Sequence, residues 1–245
     1  MKKMLWLSLG LVTLGAQAGE PAKLGWQTSA ELGAITTSGN TKGTSVTGKI
    51  DAKQELQSWS NEYIASVFFK EDEKTDVNGN RFSEKSAERY FVSGKAGYKL
   101  DTDHAKLFVL GSHTEDDFGA YESYSLVSAG YGDRLYQQDN LTIDAEIGPG
   151  YYRGRTALDA TENGAMLRTA ANLEWKVSDY ANFRQQISLD ASSDNKRTQS
   201  ETSISAKING SMQMKAAFLL QHDSEVPLGK KKTDTQTSLT LVYSF

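Results

Sequence analysis

The chain has 245 residues, and 27 lysine and arginine residues against 31 aspartate and glutamate residues give it a formal net charge of −4 at pH 7. This acidic balance gives no support to a nucleic-acid partner, which would require a basic surface. The sequence contains no cysteine, so it offers neither a disulfide framework nor a site for lipid attachment at an N-terminal cysteine.

The first element is a short apolar segment. Two lysines precede an apolar run over 4–14, and a small-x-small site that ends in Ala18 follows it. This order is typical of a secretory signal peptide, and we expect export through the Sec pathway with cleavage after Ala18. The run is shorter than the roughly 20 residues that a membrane-spanning helix needs. We therefore expect residues 1–18 to be removed and residues 19–245 to form one folded domain.

From residue 26 onward the dominant pattern is period two, which indicates β-strands. In the second segment, Val46 and Ile50 take one parity, and Lys49 and Asp51 take the other. The alternation recurs in chain order at 26–34, 46–55, 63–69, 90–98, 141–147, 167–177, 183–191, 202–208, 214–220 and 239–245.

Two further segments, 106–117 and 123–136, alternate less cleanly, since Phe108 and Leu110 oppose other apolar residues. Counting these segments, we predict twelve strands.

The connections sort by length in chain order. The even-numbered links are short turns, "SWSN", "DTDH", "QQDN", "SDYA" and "NGS", whereas the odd-numbered links are longer and more charged, as in "EDEKTDVNGNRFSEKSAE" and "DSEVPLGKKKTD". Short turns on one side and long loops on the other are typical of a Gram-negative outer-membrane barrel with both termini in the periplasm. We predict an all-β, transmembrane, antiparallel up-and-down barrel. The alternative is a soluble sandwich or barrel, which also alternates.

Aromatic residues are expected to mark two membrane interfaces. In the predicted topology, one girdle lies at the periplasmic strand ends: Trp26, Trp59, Tyr63, Tyr98, Tyr136, Trp175, Phe183, Tyr243 and Phe245. The other lies near the outer rim: Phe68, Phe69, Tyr90, Phe118, Tyr121, Tyr124, Tyr151 and Tyr152. Two such girdles are what a bilayer with two water interfaces selects. A Gly-Pro-Gly segment at 148–150 interrupts a strand, and we expect a bulge or bend there.

The inward positions carry charges of both signs. The predicted lumen-lining residues are Lys49, Asp51, Lys53, Glu55, Lys95, Asp144, Glu146, Arg168, Glu174, Lys176, Arg184 and Asp190. Desolvated charges need partners, so these residues fit structural rungs that pair with one another. The alternative is the lining of a narrow, selective channel.

Three stretches resemble a known family: "GAITTSGNTKGTSVTGKIDAKQ", "AGYGDRLYQQDNLTIDAEIGPGYY" and "SEVPLGKKKTDTQTSLTLVYSF". They are similar to the YdiY-like salt-induced outer-membrane proteins, a domain family of unknown function, and the likeness runs through the whole expected mature chain. The resemblance implies an outer-membrane barrel associated with salt or osmotic conditions. It implies no catalytic residues.

The histidines give little support to catalysis or metal binding. The chain has three, His104, His113 and His222. Glu115 follows His113 at the predicted rim, so a hydrolase site of histidine, carboxylate and serine remains an alternative, although no motif spacing indicates one. We predict no enzymatic activity, no cofactor and no metal site. Asp116, Asp117 and Glu122 could bind a divalent cation with their loop, although a solvated acidic loop is the simpler interpretation.

Two segments near the C-terminus suggest contacts. Lys230, Lys231 and Lys232 form a compact basic run that could contact lipopolysaccharide phosphates, although an ordinary hydrated loop is the simpler interpretation. The final strand carries apolar side chains at alternate positions, Leu239, Leu241, Tyr243 and Phe245, and resembles the signal by which outer-membrane barrels are delivered to the barrel-assembly machinery.

The sequence therefore predicts a monomeric barrel of the Gram-negative outer membrane with a mainly structural or envelope-adaptation role under salt or osmotic stress. The expected partners are outer-membrane lipid, lipopolysaccharide and, during biogenesis, the assembly machinery. The first alternative is a narrow channel for small polar or charged solutes, and the second is an outer-membrane hydrolase.

Overall fold

The structure is a computed structural model that describes residues 24–37, 43–76, 78, 80–100, 104–156 and 158–245. The predicted signal peptide lies outside these residues. None of the described residues belongs to a helix of the length and apolar character that crossing a membrane would require. The described chain forms twelve strands: β1 (Gly25–Thr37), β2 (Gly43–Glu55), β3 (Trp59–Thr75), β4 (Arg81–Lys99), β5 (Lys106–Asp116), β6 (Tyr121–Gln138), β7 (Leu141–Thr156), β8 (Thr161–Lys176), β9 (Ala181–Ser192), β10 (Lys196–Lys207), β11 (Met212–Asp223) and β12 (Thr233–Ser244).

The strands form one closed antiparallel barrel in which each strand pairs with its sequence neighbours and β1 pairs with β12. The closing pair sets Leu32 opposite Leu241, and the Phe245 backbone N–H donates to the Thr28 carbonyl oxygen at 3.0 Å. Closure removes the unpaired strand edges that hydrocarbon would not tolerate. The predicted fold class is confirmed. Below, the end of the barrel that carries the start of β1 and the end of β12 is the lower end, and the opposite end is the upper end.

Strands β5 and β6 alternate less cleanly because their inner face is itself apolar in places. Leu107 and Val109 point outward and are 52% and 61% exposed, whereas Phe108 points inward and is only 3% exposed. Leu110, also inward, packs against buried aromatic side chains at the upper end. Apolar side chains on part of the inner face therefore weaken the polar half of the alternation in these two strands.

The predicted long, charged loop between the third and fourth strands is mostly strand. β3 continues to Thr75 and β4 begins at Arg81. Lys74 Nζ lies 2.6 Å from Glu84 Oε2, and Arg81 Nε lies 3.4 Å from Glu73 Oε1. Cross-strand ion pairs and backbone pairing let a polar hairpin extend beyond the barrel wall, so charge alone did not mark the loop boundaries.

Aromatic pairs cluster at the lower end, where the sequence predicts a girdle. Trp59 contacts Tyr98 with ring centroids 5.3 Å apart, and Trp175 contacts Phe183 at 6.5 Å. Trp26, near the start of β1, is 57% exposed on the outer wall. These positions agree with an interface at the lower ends of the strands.

At the upper end, the predicted girdle is partly wrong. Tyr121, Tyr124 and Tyr152 are buried and face the interior, whereas Tyr151 and Tyr90 remain on the outer wall. Adjacent residues in a strand point to opposite faces, so two neighbouring tyrosines cannot both belong to a girdle.

The Gly-Pro-Gly segment at 148–150 holds no bulge. The pairing of β7 with β6 is interrupted between Gly150 and Ile147 but resumes in the same register, because proline lacks the N–H that the ladder needs. A Cβ on Gly148 would lie 2.2 Å from the carbonyl oxygen of Ala129. The glycine thus permits a close approach of two backbones.

Candidate functional site

The predicted lining residues lie on the inner face of the wall. The clearest marker is Lys95 on β4, whose Nζ lies 2.9 Å from Oε1 of Glu146 on β7. These strands are not neighbours in the barrel, so the contact crosses the interior. The same face carries Lys49, Asp51, Lys53, Glu55, Asp144, Arg168, Glu174, Lys176, Arg184 and Asp190. Their role in transport stays a prediction.

Sequence reasoning did not single out several inner charges: Glu31, Glu62, Arg89, Lys106, Arg134, Arg197, Glu201, Lys215 and Asp223. Parity could have found some of them. Glu62, for example, directly precedes the outward Tyr63, so it must face the lumen.

Fourteen of the inner charges form an ion-pair belt around the lower and middle interior. The belt consists of Glu31, Lys49, Asp51, Lys53, Glu62, Lys95, Lys106, Glu146, Arg168, Glu174, Arg184, Asp190, Glu201 and Lys215. Lys215 Nζ, for instance, lies 2.9 Å from Glu201 Oε1 and 3.2 Å from Glu31 Oε1. Most of these side chains keep partial exposure, as in the Arg184–Glu174 pair at 28% and 49%.

Two cavities lie along this belt. A lower cavity of about 420 Å³ reaches the lower strand ends and is lined by Glu31, Asp51, Glu174, Arg184 and Lys215 among others. A middle cavity of about 340 Å³ lies above it, where Lys49, Lys95, Glu146, Arg168 and Glu201 join serine and glutamine side chains. The interior therefore keeps polar room, in contrast to an interior filled by side chains.

The upper end is closed by a cluster that we call the upper seal: Tyr121, Tyr124, Tyr152, Asn195, Arg197, Asp223 and Val226. At its centre, the Arg197 Nε and Nη2 groups donate to the two carboxylate oxygens of Asp223 at 2.9 and 3.2 Å. The guanidinium carbon lies 4.9 and 4.2 Å from the ring centroids of Tyr121 and Tyr124. Bidentate pairing and cation–π contacts both favour arginine at this position. Since Arg197 is on β10 and the two tyrosines are on β6, the contact spans the lumen.

Asn195 fastens the loops to this seal. Its Nδ2 group donates to Asp223 Oδ1 at 2.8 Å and to the Tyr121 hydroxyl at 3.3 Å. Its Oδ1 atom accepts from the Ser224 hydroxyl and from the Glu225 backbone N–H at 3.1 and 3.2 Å. The β11–β12 loop is thus tied to the neighbouring β9–β10 turn, and the bond to Tyr121 links both to β6.

The basic run lies in that loop and is partly engaged. Lys230 Nζ donates to the Phe118 carbonyl oxygen at 3.0 Å, and Lys232 Nζ donates to the Ser224 carbonyl oxygen. Lys231 is exposed. Two of the three lysines therefore bind protein carbonyls over the mouth.

A second contact crosses the upper interior from the other side. Arg89 on β4 donates from Nη2 to Gln236 Oε1 on β12 at 3.2 Å, and its Nε lies 3.3 Å from Asp116 Oδ2. Arg89 also lines the middle cavity. Arg89 therefore forms part of the upper boundary of the middle cavity, beside the upper seal.

The histidines are on the surface. His113 Nδ1 lies 2.7 Å from Ser125 Oγ, and His113 Nε2 lies 3.5 Å from Glu115 Oε1, all on the outer wall. Ser125 is paired on both sides, with His113 and with Arg153. Backbone N–H groups in such a ladder are used by strand pairing and are poorly placed to form an oxyanion hole. The contact favours a surface hydrogen bond over a hydrolytic centre.

Asp116, from the acidic loop, accepts hydrogen bonds from the backbone N–H groups of Phe118 and Gly119 at 3.1 and 2.9 Å. Among the described residues, no group of three or more histidine, cysteine or carboxylate side chains is placed to hold a metal ion. The four residues of the predicted assembly signal, Leu239, Leu241, Tyr243 and Phe245, are exposed on the outer wall.

Comparison with protein families gives one match over most of the chain. Residues 30–245 match the family model described as "Protein of unknown function, DUF481". Over 224 residues the chain is 27% identical to "Uncharacterized protein YdiY" of Escherichia coli (strain K12), which covers 91% of this chain and 84% of that protein.

Solved structures show the same architecture at low identity. The "COG4313 outer membrane channel from Pseudomonas putida F1" superposes with a TM-score of 0.55 and 10% identity, over 94% of this chain and 100% of that one. The "NanC porin" superposes with a TM-score of 0.51 and 9% identity, over 89% and 98%. The chain thus has the fold of outer-membrane barrels, and these two structural neighbours are a channel and a porin.

Proposed function

This chain belongs to the DUF481 family of proteins of unknown function, and we propose that it forms a narrow passage for small polar or charged solutes across the outer membrane, closed at its upper, extracellular end. The passage is the pair of polar cavities. The closure is the upper seal together with the β11–β12 loop.

The observation that carries this proposal is the unequal filling of the interior. Below the seal, the lumen keeps two cavities of about 420 and 340 Å³ that are lined by charged residues of the ion-pair belt, and the middle one also by apolar residues such as Phe91 and Leu110. At the upper end, side chains from β6, β7, β10 and β11 and two residues of the connections, Asn195 and Val226, fill the space. A barrel with a purely structural interior has no need to concentrate its closure at one end.

The seal also has a feature that favours a closure able to open. Among the described residues, the buried hydroxyl of Tyr152 has no hydrogen-bond partner. Such a group costs roughly 1–3 kcal/mol, which it regains when water reaches it. This cost offsets part of the stability of the closed mouth.

Charges of both signs define the proposed solute class. Lys95 lies between Glu62 and Glu146, and Lys215 lies between Glu31 and Glu201. A wall of alternating signs favours small solutes that carry both charges or several polar groups, and it disfavours strong selection for one ion sign. The names of the channel and the porin with the same fold agree with a transport role.

The second candidate is a structural, envelope-adaptation role under salt or osmotic stress. The observation that favours it is the internal pairing of the ion-pair belt, which stabilises the wall without any solute. In that case the cavities would hold water only, and no variant of the mouth would conduct.

Planar-bilayer recording separates the two candidates. Val226 packs against the buried cluster that contains Tyr121, Tyr124 and Tyr152, whereas Leu228 in the same loop is 96% exposed. We expect Val226→Asp to open the mouth and produce steady conductance, while Leu228→Asp behaves like the parent chain with rare, brief openings. A Val226→Asp barrel that folds and never conducts would overturn the channel proposal and leave the structural role.

We also propose that the barrel works as a monomer, because one chain closes the sheet, and that its last strand carries the assembly signal. Deletion of Phe245 should reduce heat-modifiable barrel in the outer membrane without changing export to the periplasm. Normal barrel levels in that variant would contradict the assembly role.

A further inference from the structure

We propose that the upper outer wall of β6–β8 is a binding site for the phosphate groups of lipopolysaccharide, centred on Arg153 and Arg155 of β7. This inference is independent of whether the lumen conducts. It assigns the lipid contact to the wall of the barrel and not to the lysine run of the β11–β12 loop.

The outer wall of β6–β8 changes from apolar to polar between one row of paired residues and the next row above it. Paired positions run across the strands as Val127, Tyr151 and Ala165, which are apolar or aromatic. Two residues higher, the corresponding row is Ser125, Arg153 and Asn163. The next row is Ser123, Arg155 and Thr161. Every position in these two upper rows carries a hydrogen-bond donor.

Both arginine side chains point away from the lumen. In β7 the exposed Tyr151, Arg153 and Arg155 alternate with the buried Tyr152 and Gly154. The Tyr151 hydroxyl donates to Asn163 Oδ1 at 2.5 Å on the same outer face. The row of arginines therefore begins directly above an aromatic residue on the outer wall.

The height of the arginines matches a lipid headgroup. Strands rise about 3.3 Å per residue and tilt by about 40°, so Arg153 and Arg155 lie roughly 5 and 10 Å above Tyr151 along the membrane normal. The headgroup layer is about 5–7 Å thick on each side of the hydrocarbon core. With Tyr151 at the edge of the hydrocarbon core, Arg153 lies within this layer, and Arg155 lies just above it, where its long side chain can reach down to the layer. Phosphates of the outer-leaflet glycolipid occupy this layer, and arginine binds phosphate with two parallel N–H groups.

The charge is available for an external anion. Among the described residues, Arg153 has no ion-pair partner, and Arg155 has one, Glu122, with 3.4 Å between Nη2 and Oε2. The Arg155 side chain is still 54% exposed. By contrast, the outer wall of β3 and β4 at a similar position carries two carboxylates, Glu71 and Glu88, and one lysine, Lys85, which already pairs with Glu88. This wall therefore has a negative balance and no unpaired cation among these three residues. Charge complementarity thus favours one part of the rim.

Native mass spectrometry and thermal-shift titration of the whole barrel in detergent test the assignment. The probes are lipid A with both phosphates, the same lipid after dephosphorylation, and phosphatidylglycerol. We expect the double variant Arg153→Gln, Arg155→Gln to bind bisphosphorylated lipid A about 30-fold more weakly, because each near-surface arginine contributes roughly 1 kcal/mol. The dephosphorylated lipid should bind both proteins equally. Phosphatidylglycerol should bind more weakly than bisphosphorylated lipid A to the parent chain.

The matched control is the triple variant Lys230→Gln, Lys231→Gln, Lys232→Gln, which removes more charge from the loop and should keep near-parental affinity for lipid A. Heat-modifiable migration confirms that each variant is folded, and an Arg153→Lys, Arg155→Lys variant should recover part of the binding. Unchanged binding by the folded arginine variant, or a larger loss in the lysine variant, would overturn the proposal. Equal binding of phosphatidylglycerol would replace it with general anionic attraction.

Discussion

The upper seal and the ion-pair belt both join opposite charges inside one barrel, but their surroundings differ. In the seal, the side chains of Arg197 and Asp223 are 5% and 3% exposed, and the Arg197 guanidinium lies against the rings of Tyr121 and Tyr124. In the belt, Arg184 and Glu174 remain 28% and 49% exposed beside a cavity. The Arg197–Asp223 pair is therefore dry, whereas the Arg184–Glu174 pair beside the lower cavity is hydrated.

This difference decides what each pair can do. A dry pair depends strongly on its partner, because removal of one charge leaves the other desolvated. A hydrated pair contributes little stability, since water replaces the lost partner. We infer that the seal controls whether the mouth is closed, and that the belt controls which solutes pass.

The largest contrast is expected from single truncations. Arg197→Ala should lower the free energy of unfolding by about 3–5 kcal/mol, because it strands the buried carboxylate of Asp223. Arg184→Ala should lower it by less than about 1 kcal/mol. Urea unfolding of both variants in lipid vesicles measures the difference. Equal losses would erase the distinction between a dry and a hydrated region.

Removing both partners of the seal should be milder than removing one. The double variant Arg197→Leu, Asp223→Leu leaves no unpaired charge, so we expect it to recover about 2 kcal/mol relative to Arg197→Ala. The same unfolding experiment reports this recovery. A double variant less stable than the single one would indicate that cation–π and asparagine contacts, rather than charge pairing, hold the seal.

Belt variants should act on selectivity. In the Val226→Asp background, where the mouth is expected to be open, Lys95→Gln removes one of the two lysines that pair with Glu62 and one of the two that pair with Glu146. We expect the reversal potential in a salt gradient to shift toward cation selectivity by a factor of a few. The opposite change, Glu146→Gln, should shift it toward anions. If neither substitution changes the reversal potential, the ions do not pass these side chains, and the belt does not line the conducting path.

The smallest expected effect is that of salt on the belt. Between 0.1 and 1 M salt the screening length falls from about 10 to about 3 Å. The small cost of Arg184→Ala should then disappear, whereas the cost of Arg197→Ala should persist. Urea unfolding of both variants at the two salt concentrations measures these two losses in the free energy of unfolding. If the loss for Arg197→Ala also fell at high salt, the Arg197–Asp223 pair would be hydrated, which would contradict the account.

The sequence predicted the wall better than the seal, for a physical reason. Lys49 and Asp51 alternate with Val46 and Ile50, so their face follows from a period of two. Arg197 also has a parity, but its contact with Tyr124 depends on how the three strands between β6 and β10 curve. That curvature comes from the closure of the whole barrel, which no local pattern contains.

The misplaced tyrosines show a different limit. Aromatic residues near strand ends were assigned to a girdle, yet Tyr152 directly follows the outward Tyr151 and therefore points inward. The alternation of side chains along β7 already places Tyr152 on the inner face. Position near a strand end is therefore not enough to assign an aromatic residue to a girdle, and its face must be considered as well. The charged residues of the β3–β4 hairpin likewise predict a loop, but cross-strand ion pairs stabilise strand structure there beyond the barrel wall.

The most direct test of a passage closed only at its upper end uses a single cysteine, since the chain has none of its own. Ser93 lines the middle cavity, and Ser93→Cys places a thiol there. In barrels of fixed orientation, a charged thiol reagent should label this site from the periplasmic side only. Adding Val226→Asp should allow labelling from both sides. Equal labelling from both sides in the otherwise unchanged chain, or from neither side in the Val226→Asp variant, would contradict the account.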